Sequence, residues 1–340
     1  KNNEDTFSFD VTEMRDVWYK TSFLLDSKQT ANNLAQDRFD NYKKQPLQYT
    51  FPKNFTGKLK DVINNCHSER SETKSKNHNK NEISPQGRND KQTRPKAAII
   101  REKGSNSERE MANAMYLAGF DVKDVHMTDL ISGRETLEDI QFIGAVGGFS
   151  NSDVLGSAKG WAGAFKYNEK AKIALENFFK REDTLSVGIC NGAQLWMELD
   201  LINPEHKVHG KLVHNDSKKH ESSFTSVKIQ ENNSVMLSSL AGTELGVWIS
   251  HGEGKFNLPE TEENYNIVAK YGYEGYPNNP NGSDFNTAML CDKSGRHLAT
   301  MPHIERSTFQ WNWANYPTNR KDEVTPWLEA FVNAKNWLTK

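Results

Sequence analysis

Cysteine is scarce in this chain. Among 340 residues there are three, Cys66, Cys190 and Cys291. They are too few and too scattered for a disulfide framework, which predicts a reducing, cytoplasmic setting. An excess of one charge is missing too. The 43 Lys and Arg stand against 45 Asp and Glu, so composition makes no electrostatic case for nucleic acid or an acidic membrane surface. No apolar run approaches the ~18 residues of a membrane-spanning helix. KNNEDTFSFD at the N-terminus has no signal-peptide core. It opens on Lys rather than Met, and the sequence reads as the C-terminal part of a longer chain. Its length is sufficient for one large or two medium cores.

Three zones differ in composition. In residues 1–66, Val17, Trp18, Phe23, Leu24 and Leu25 recur at helical spacing, and PLQYTFPKNFT (46–56) reads as extended. This zone is small and polar, the edge of something larger. Residues 67–94 hold almost no large apolar side chain. They cannot offset the entropy of ordering and read as a flexible linker or insertion. In residues 95–340, strands alternate with helices. KAAIIR (96–101), DVKDVHM (121–127), FIGAVGG (142–148) and TLSVGIC (184–190) are strands. SEREMANAMYLAGF (107–120), SGRETLEDI (132–140), one long stretch at 161–181 and NGAQLWMEL (191–199) are helices. That alternation predicts an α/β domain with a mainly parallel central sheet and right-handed crossovers. Beyond 220 the chain is richer in strands (SFTSVKI, LGVWIS, NIVAKYGY, HLATMPHIE) and closes on the helix TPWLEAFVNAKNWL.

Cys190 ends an apolar strand and is followed at once by a helix, with Gly188 and Gly192 two residues to either side. This is the layout of a nucleophile elbow, a tight strand-to-helix turn that exposes one side chain at the carboxyl end of a strand. The helix aims free N–H groups and its positive end at the sulfur, which favours the thiolate. The other reading, a small buried hydrophobe, suits Cys66 and Cys291, which lack such a setting. A thiolate nucleophile needs a base, and the base an orienting acid. His303 precedes Glu305 by two residues, and His251 precedes Glu253 by two. Both follow strands, and on an extended segment i and i+2 share a face, so spacing alone leaves the two open. His206, His209, His214 and His220 are spaced irregularly with no cysteine among them, which reads as a solvated loop rather than a zinc site. Trp311 and Trp313 read as packing between zones.

The motifs REKGSNSEREM (101–111), DVHMTDL (124–130), GGFSNSDVLGSAKGWA (147–162), GICNGAQ (188–194), SHGEG (250–254), YPNNPNGS (276–283) and MPHIER (301–306) follow one another in this order. Together they resemble the class I glutamine amidotransferases. Within that class they resemble the glutaminase region of the phosphoribosylformylglycinamidine synthase family in its long single-chain form, over residues 95–340. The resemblance implies a flavodoxin-like domain and glutamine as substrate. It makes Cys190 the nucleophile, His303 rather than His251 the base, and Glu305 the orienting acid. It implies an oxyanion hole from the Asn191 N–H and a backbone N–H in Gly147-Gly148-Phe149, with Gly148 and Phe149 the named candidates, and Gln194 and His251 near the substrate. Residues 1–66 would be the tail of a synthetase region that is otherwise outside this chain. No Walker-type phosphate loop occurs here. ATP and Mg²⁺ are therefore expected in that region, and no cofactor in this one. The synthetase region is the expected partner, and the part present would have at most glutaminase activity. Two positions depart from the family's pattern: Ala193 stands where cysteine is common, and Ile304 where proline is. The alternatives are a glutaminase serving another acceptor, which GGFSNSDVLG and HGEG argue against, and a noncatalytic module, which the His-x-Glu element argues against.

Overall fold

The computed structural model describes residues 7–41, 47–64 and 94–340. Cys66 and nearly all of the expected linker at 67–94 lie outside the described residues. The N-terminal zone holds helices α1 (Val11–Gln29), α2 (Leu34–Asn41) and α3 (Leu59–Asn64). Then follow β1 (Lys96–Arg101), α4 (Glu108–Ala118), β2 (Asp121–His126), α5 (Met127–Ser132), β3 (Phe142–Ala145), α6 (Lys159–Tyr167), α7 (Glu169–Lys180), β4 (Leu185–Ile189) and α8 (Asn191–Glu198). The remainder is β5 (Lys211–Val213), β6 (Glu221–Ile229), β7 (Glu244–His251), β8 (Lys255–Asn257), β9 (Asn266–Tyr271), β10 (Thr287–Cys291), β11 (His297–Thr300) and α9 (Trp327–Leu338).

Nine strands form one sheet in the order β2-β1-β3-β4-β11-β10-β9-β6-β7. It is parallel from β2 to β11 and continues antiparallel from β10 to β7. β1 to β2 steps one way along the sheet and β3 to β4 the other, so right-handed crossovers put α4 on one face and α6–α7 on the opposite face. α4 packs on α9, while α7 contacts α5 and α6, and α6 contacts α8. The central strands β3 and β4 are buried along their whole length, as expected for a sheet covered on both faces.

Two expected helices differ from the structure. The 132–140 segment is a turn, because Gly133 caps α5 in the left-handed region at φ 80; the helix lies just before it. The long helix at 161–181 is two helices. Asn168 breaks it with φ −104, ψ 115, and its side chain accepts from the Ala171 N–H at 3.0 Å to start α7.

The N-terminal zone packs on two places. Around Thr50 the chain bridges β7 at Glu244, with Thr50 N–H donating to its carbonyl at 2.8 Å. Tyr49 packs edge-on and Phe51 at a tilt against Trp313, which is buried, as expected for packing between the zones. Trp311 is instead exposed and stacks on Phe309. The α1–α2 pair, joined by Phe23 on Phe39 at 4.7 Å, lies against residues 216–221.

Candidate active site

Cys190 leaves β4 with φ 54, ψ −106, a conformation that is strained for any residue with a side chain. Its N–H donates to Thr300 O on β11 at 2.8 Å, and its carbonyl accepts from Gln194 N–H at 3.0 Å. The flanking glycines supply room for that turn. A Cβ on Gly188 would stand 2.5 Å from Gly192 O, and one on Gly192 would stand 2.1 Å from Ala145 O on β3. The strain thus sits on the cysteine, and the glycines let α8 press onto the strands beneath it. Cys190 is 5% exposed, and its Sγ lies 3.5 Å from Ser250 O at the end of β7.

His303 and Glu305 are both buried. The imidazole Nδ1 and Glu305 Oε1 are 2.6 Å apart. The two residues meet across a single 3-10 turn, Ile304–Arg306, rather than along an extended segment, so isoleucine in place of proline leaves the pairing intact. The His303 N–H donates to Trp248 O at 2.8 Å, tying the turn to β7. The ring Cε1 and the Cys190 Cβ both border Gly147, at 2.8 and 3.4 Å from where a Cβ would be. Burial pulls the His303 ring down, but the Glu305 charge and hydrogen bonds to Cys190 and Glu305 outweigh it and push it up to about 9. Burial would raise Glu305; His303 and then Arg306 hold it below the usual carboxylate range.

The β3–loop segment gives the two expected oxyanion donors different fates. Phe149 N–H, one of the expected donors, is hydrogen-bonded to Gly104 O at 2.9 Å. Among the described residues Gly148 N–H has no acceptor, and neither does Asn191 N–H in the first turn of α8. Gly148 is held at φ 110, with Asn106 N and Ser105 Cα 2.6 and 2.7 Å from any added Cβ, so only glycine fits there.

A cavity of about 330 Å³ opens over Cys190, lined by Gly148, Gln194, Lys219, His251 and Glu253 among others. Gln194 spans it, accepting from Asn191 Nδ2 at 2.7 Å and donating to Glu253 O at 2.8 Å. His251 is buried and, among the described residues, neither ring nitrogen has a partner; burial, then the neighbouring His303, lowers it to about 3 and keeps it neutral. Glu253 turns away from His251 and accepts from Ser157 N–H at 2.6 Å, with His214 Nε2 at 3.4 Å. The two His-x-Glu pairs that spacing left equal are therefore unequal in space. The other histidines scatter. His206 packs edge-on to Tyr265 at 5.1 Å rather than in solvent, His209 faces Asp200, and His220 Nε2 is 3.0 Å from Ser250 Oγ. Among the described residues no three metal-ligating side chains gather. Ser250, Lys219 and Asp153, which line the cavity, were not singled out by the sequence reading. Ser250 lies in the quoted SHGEG motif and Asp153 in GGFSNSDVLGSAKGWA, but no local pattern marks Lys219.

A cysteine at the carboxyl end of a parallel sheet, on an elbow beside a buried histidine–carboxylate pair, belongs to the architecture of the class I glutamine amidotransferases. Residues 94–338 match the model of the CobB/CobQ-like glutamine amidotransferase domain, and the chain belongs to that family. Among curated relatives, a probable phosphoribosylformylglycinamidine synthase (chloroplastic/mitochondrial) of Arabidopsis thaliana is 38% identical over 96% of this chain and 23% of its own length. The phosphoribosylformylglycinamidine synthase of Homo sapiens is 42% identical over 72% of this chain and 20% of its own. The chain thus spans between a fifth and a quarter of these relatives. A solved structure of PurLQS from Thermotoga maritima matches with TM-score 0.53 and 26% identity, over 64% of this chain and 92% of that one. Among the described residues no helix is long and apolar enough to cross a membrane.

Proposed function

We propose that this chain is the glutaminase part of a phosphoribosylformylglycinamidine synthase. It releases ammonia from glutamine through Cys190, His303 and Glu305. The observation that carries the reading is the strained Cys190 beside the buried His303–Glu305 pair, under a cavity of about 330 Å³. With its proton already carried by His303, the Cys190 sulfur adds to the carboxamide carbon. Asn191 and Gly148 N–H groups receive the oxyanion, each worth ~10²–10³ in rate. His303, oriented by Glu305, passes the proton to the amide nitrogen; the C–N bond breaks, and ammonia and a thioester result. Water, deprotonated by His303, then adds to the thioester, and collapse returns glutamate and the free cysteine. Gln194 and neutral His251 stand on the wall where the glutamine lies.

In the whole protein the ammonia reaches a synthetase region, where ATP and Mg²⁺ act and formylglycinamide ribonucleotide becomes formylglycinamidine ribonucleotide. Residues 1–66 are the tail of that region, a reading supported by the Arabidopsis alignment over 96% of the chain. The proposed compartment is the cytoplasm, on the low cysteine usage. The test is labelling with diazo-oxonorleucine, a glutamine-mimicking electrophile, and mass spectrometry of the adduct. The expected result is modification at Cys190 that glutamine blocks and His303→Ala abolishes. Modification elsewhere, or none, would overturn the reading.

A further inference from the structure

The segment 214–221 is one wall of the cavity over Cys190, and it is held from outside the glutaminase domain. Asp26, buried on α1, takes the Lys219 ammonium in an ion pair; it also accepts from Arg38 at 3.1 Å and Thr30 Oγ1 at 2.7 Å. Arg38 continues to Glu221 at 2.7 Å, and Glu221 accepts from Tyr276 Oη at 3.0 Å. Ala31 N–H donates to Ser217 O at 2.9 Å and Asn32 Nδ2 to Asp216 O at 2.8 Å. From this wall the contacts run inward. Asn215, fully buried, donates to Lys219 O at 3.0 Å and His251 O at 2.7 Å and accepts from Gly254 N–H at 3.0 Å. The segment it fixes carries His251 and Glu253, and Ser250 just before it lies against the Cys190 sulfur.

We propose that the α1–α2 hairpin is a positioning clamp for the glutamine cavity: Asp26 and Arg38 hold Lys219 and Glu221, and Asn215 passes that placement to the His251–Gly254 wall. The proposal rests on the glutaminase reading for its substrate and deepens it by placing part of the substrate site under control of the zone outside the domain. Burial would raise Asp26, but Lys219, Thr30 and Arg38 together hold it below the usual carboxylate range, so the clamp stays charged at neutral pH. Lys218 and Lys219 line the cavity together with the carboxylates Asp153 and Glu253. Such a lining suits a free amino acid, with one group of each charge. Moving Lys219 changes how that substrate is held without touching the nucleophile or its base, which makes Asp26 a positioning residue and not a catalytic one.

The test uses Asp26→Asn, Arg38→Met and Lys219→Met in the protein at its full length, with two readouts. Hydrogen exchange reads the clamp itself: amides of 215–221 should exchange at least tenfold faster in Asp26→Asn, with β1 and β4 unchanged. Cys190 labelling reads the cavity. Diazo-oxonorleucine should react five- to tenfold more slowly in Asp26→Asn and Lys219→Met, while iodoacetamide, which lacks the amino-acid head group, should react at the wild-type rate. Where turnover is measured, KM for glutamine should rise by the same factor, with kcat within twofold. Asp26→Glu should restore both readouts in part. Unchanged exchange in both Asp26→Asn and Arg38→Met would overturn the clamp. Faster exchange with unchanged diazo-oxonorleucine labelling would overturn its role in holding substrate. Equal slowing with both reagents would mean a general loss of structure and would also overturn it. A wild-type Cys190 inert to diazo-oxonorleucine would sink the glutaminase reading instead, and exchange would still decide the clamp.

Discussion

Residues 7–41 and residues 94–340 use apolar side chains in opposite ways. In the larger region the sheet and its helices bury Phe120, Phe142, Trp161, Trp196 and Phe331 completely. In α1, Val11, Met14, Trp18 and Leu25 lie three, four and seven residues apart on one side and are all exposed, Trp18 by 79%. The helix is held by other means. Asp10 caps it, accepting from Thr12 and Glu13 N–H at 2.8 and 2.9 Å, and its other side packs on α2. A region that covers its own apolar surface is a folding unit. One that leaves a stripe uncovered is a surface made for something else. The active-site residues all lie in the first kind, and the clamp at Asp26 joins it to the second.

The sharpest way to break this comparison is to cut a large aromatic side chain from the closed core. Phe120→Ala removes a ring that lies 5.1 Å from Phe142 in the core. It should cost about 3–5 kcal/mol in a denaturant titration, transfer and cavity terms together. A cost below about 1 kcal/mol would mean that the larger region is not a closed core.

How much of this was legible beforehand differs along the chain for physical reasons. The elbow was readable because strand, cysteine, helix and paired glycines fall within about ten residues, and the glycines stand where neighbouring backbone comes too close for any side chain. The His303–Glu305 pair was half readable. Spacing admitted His251–Glu253 equally, and what separates them, the Trp248 bridge that turns His303 toward Cys190 and the Ser157 contact that draws Glu253 away, lies far off in sequence. The Phe149 N–H contact with Gly104 O was unreadable for the same reason, since Gly104 sits on another loop. The break at Asn168 was locally visible in principle as a helix N-cap, but the apolar periodicity runs straight through it. The contacts of Asp26 with Lys219 cross 193 residues, and no local pattern announces them.

A middle-sized effect is expected from pH, and it sharpens the comparison because both groups sit in the closed region. His303 is raised to about 9 from an ordinary 6.5. Its charged form contributes stability that is fully present below 6.5 and is lost as pH rises through about 9. Glu305 is lowered, so its contribution is present above its ordinary 4.5 and is lost as pH falls through its folded value. Since His303 must carry the proton that ammonia takes, kcat/KM for glutamine should fall about tenfold per pH unit above about 9. A profile flat to pH 10.5 would show that His303 does not hold that proton. Variants on the outer side of α1 should leave the alkaline limb where it is.

The smallest effect is expected on the exposed stripe. Trp18→Ser and Leu25→Ser remove side chains that are 79% and 61% exposed, so in residues 1–340 each should change unfolding free energy by less than about 0.5 kcal/mol. On the reading proposed above, in which a synthetase region covers the stripe, the same substitutions in the full-length protein should cost more, each truncation then removing buried area at about 25 cal/mol per Å². The contrast between the two backgrounds is the informative quantity. Equal, small costs in both would leave the stripe uncovered in the whole protein and remove the reason to see α1 as part of a synthetase region. A large cost in residues 1–340 alone would mean that α1 folds onto its neighbours through this side, and that the difference between the two regions is one of degree.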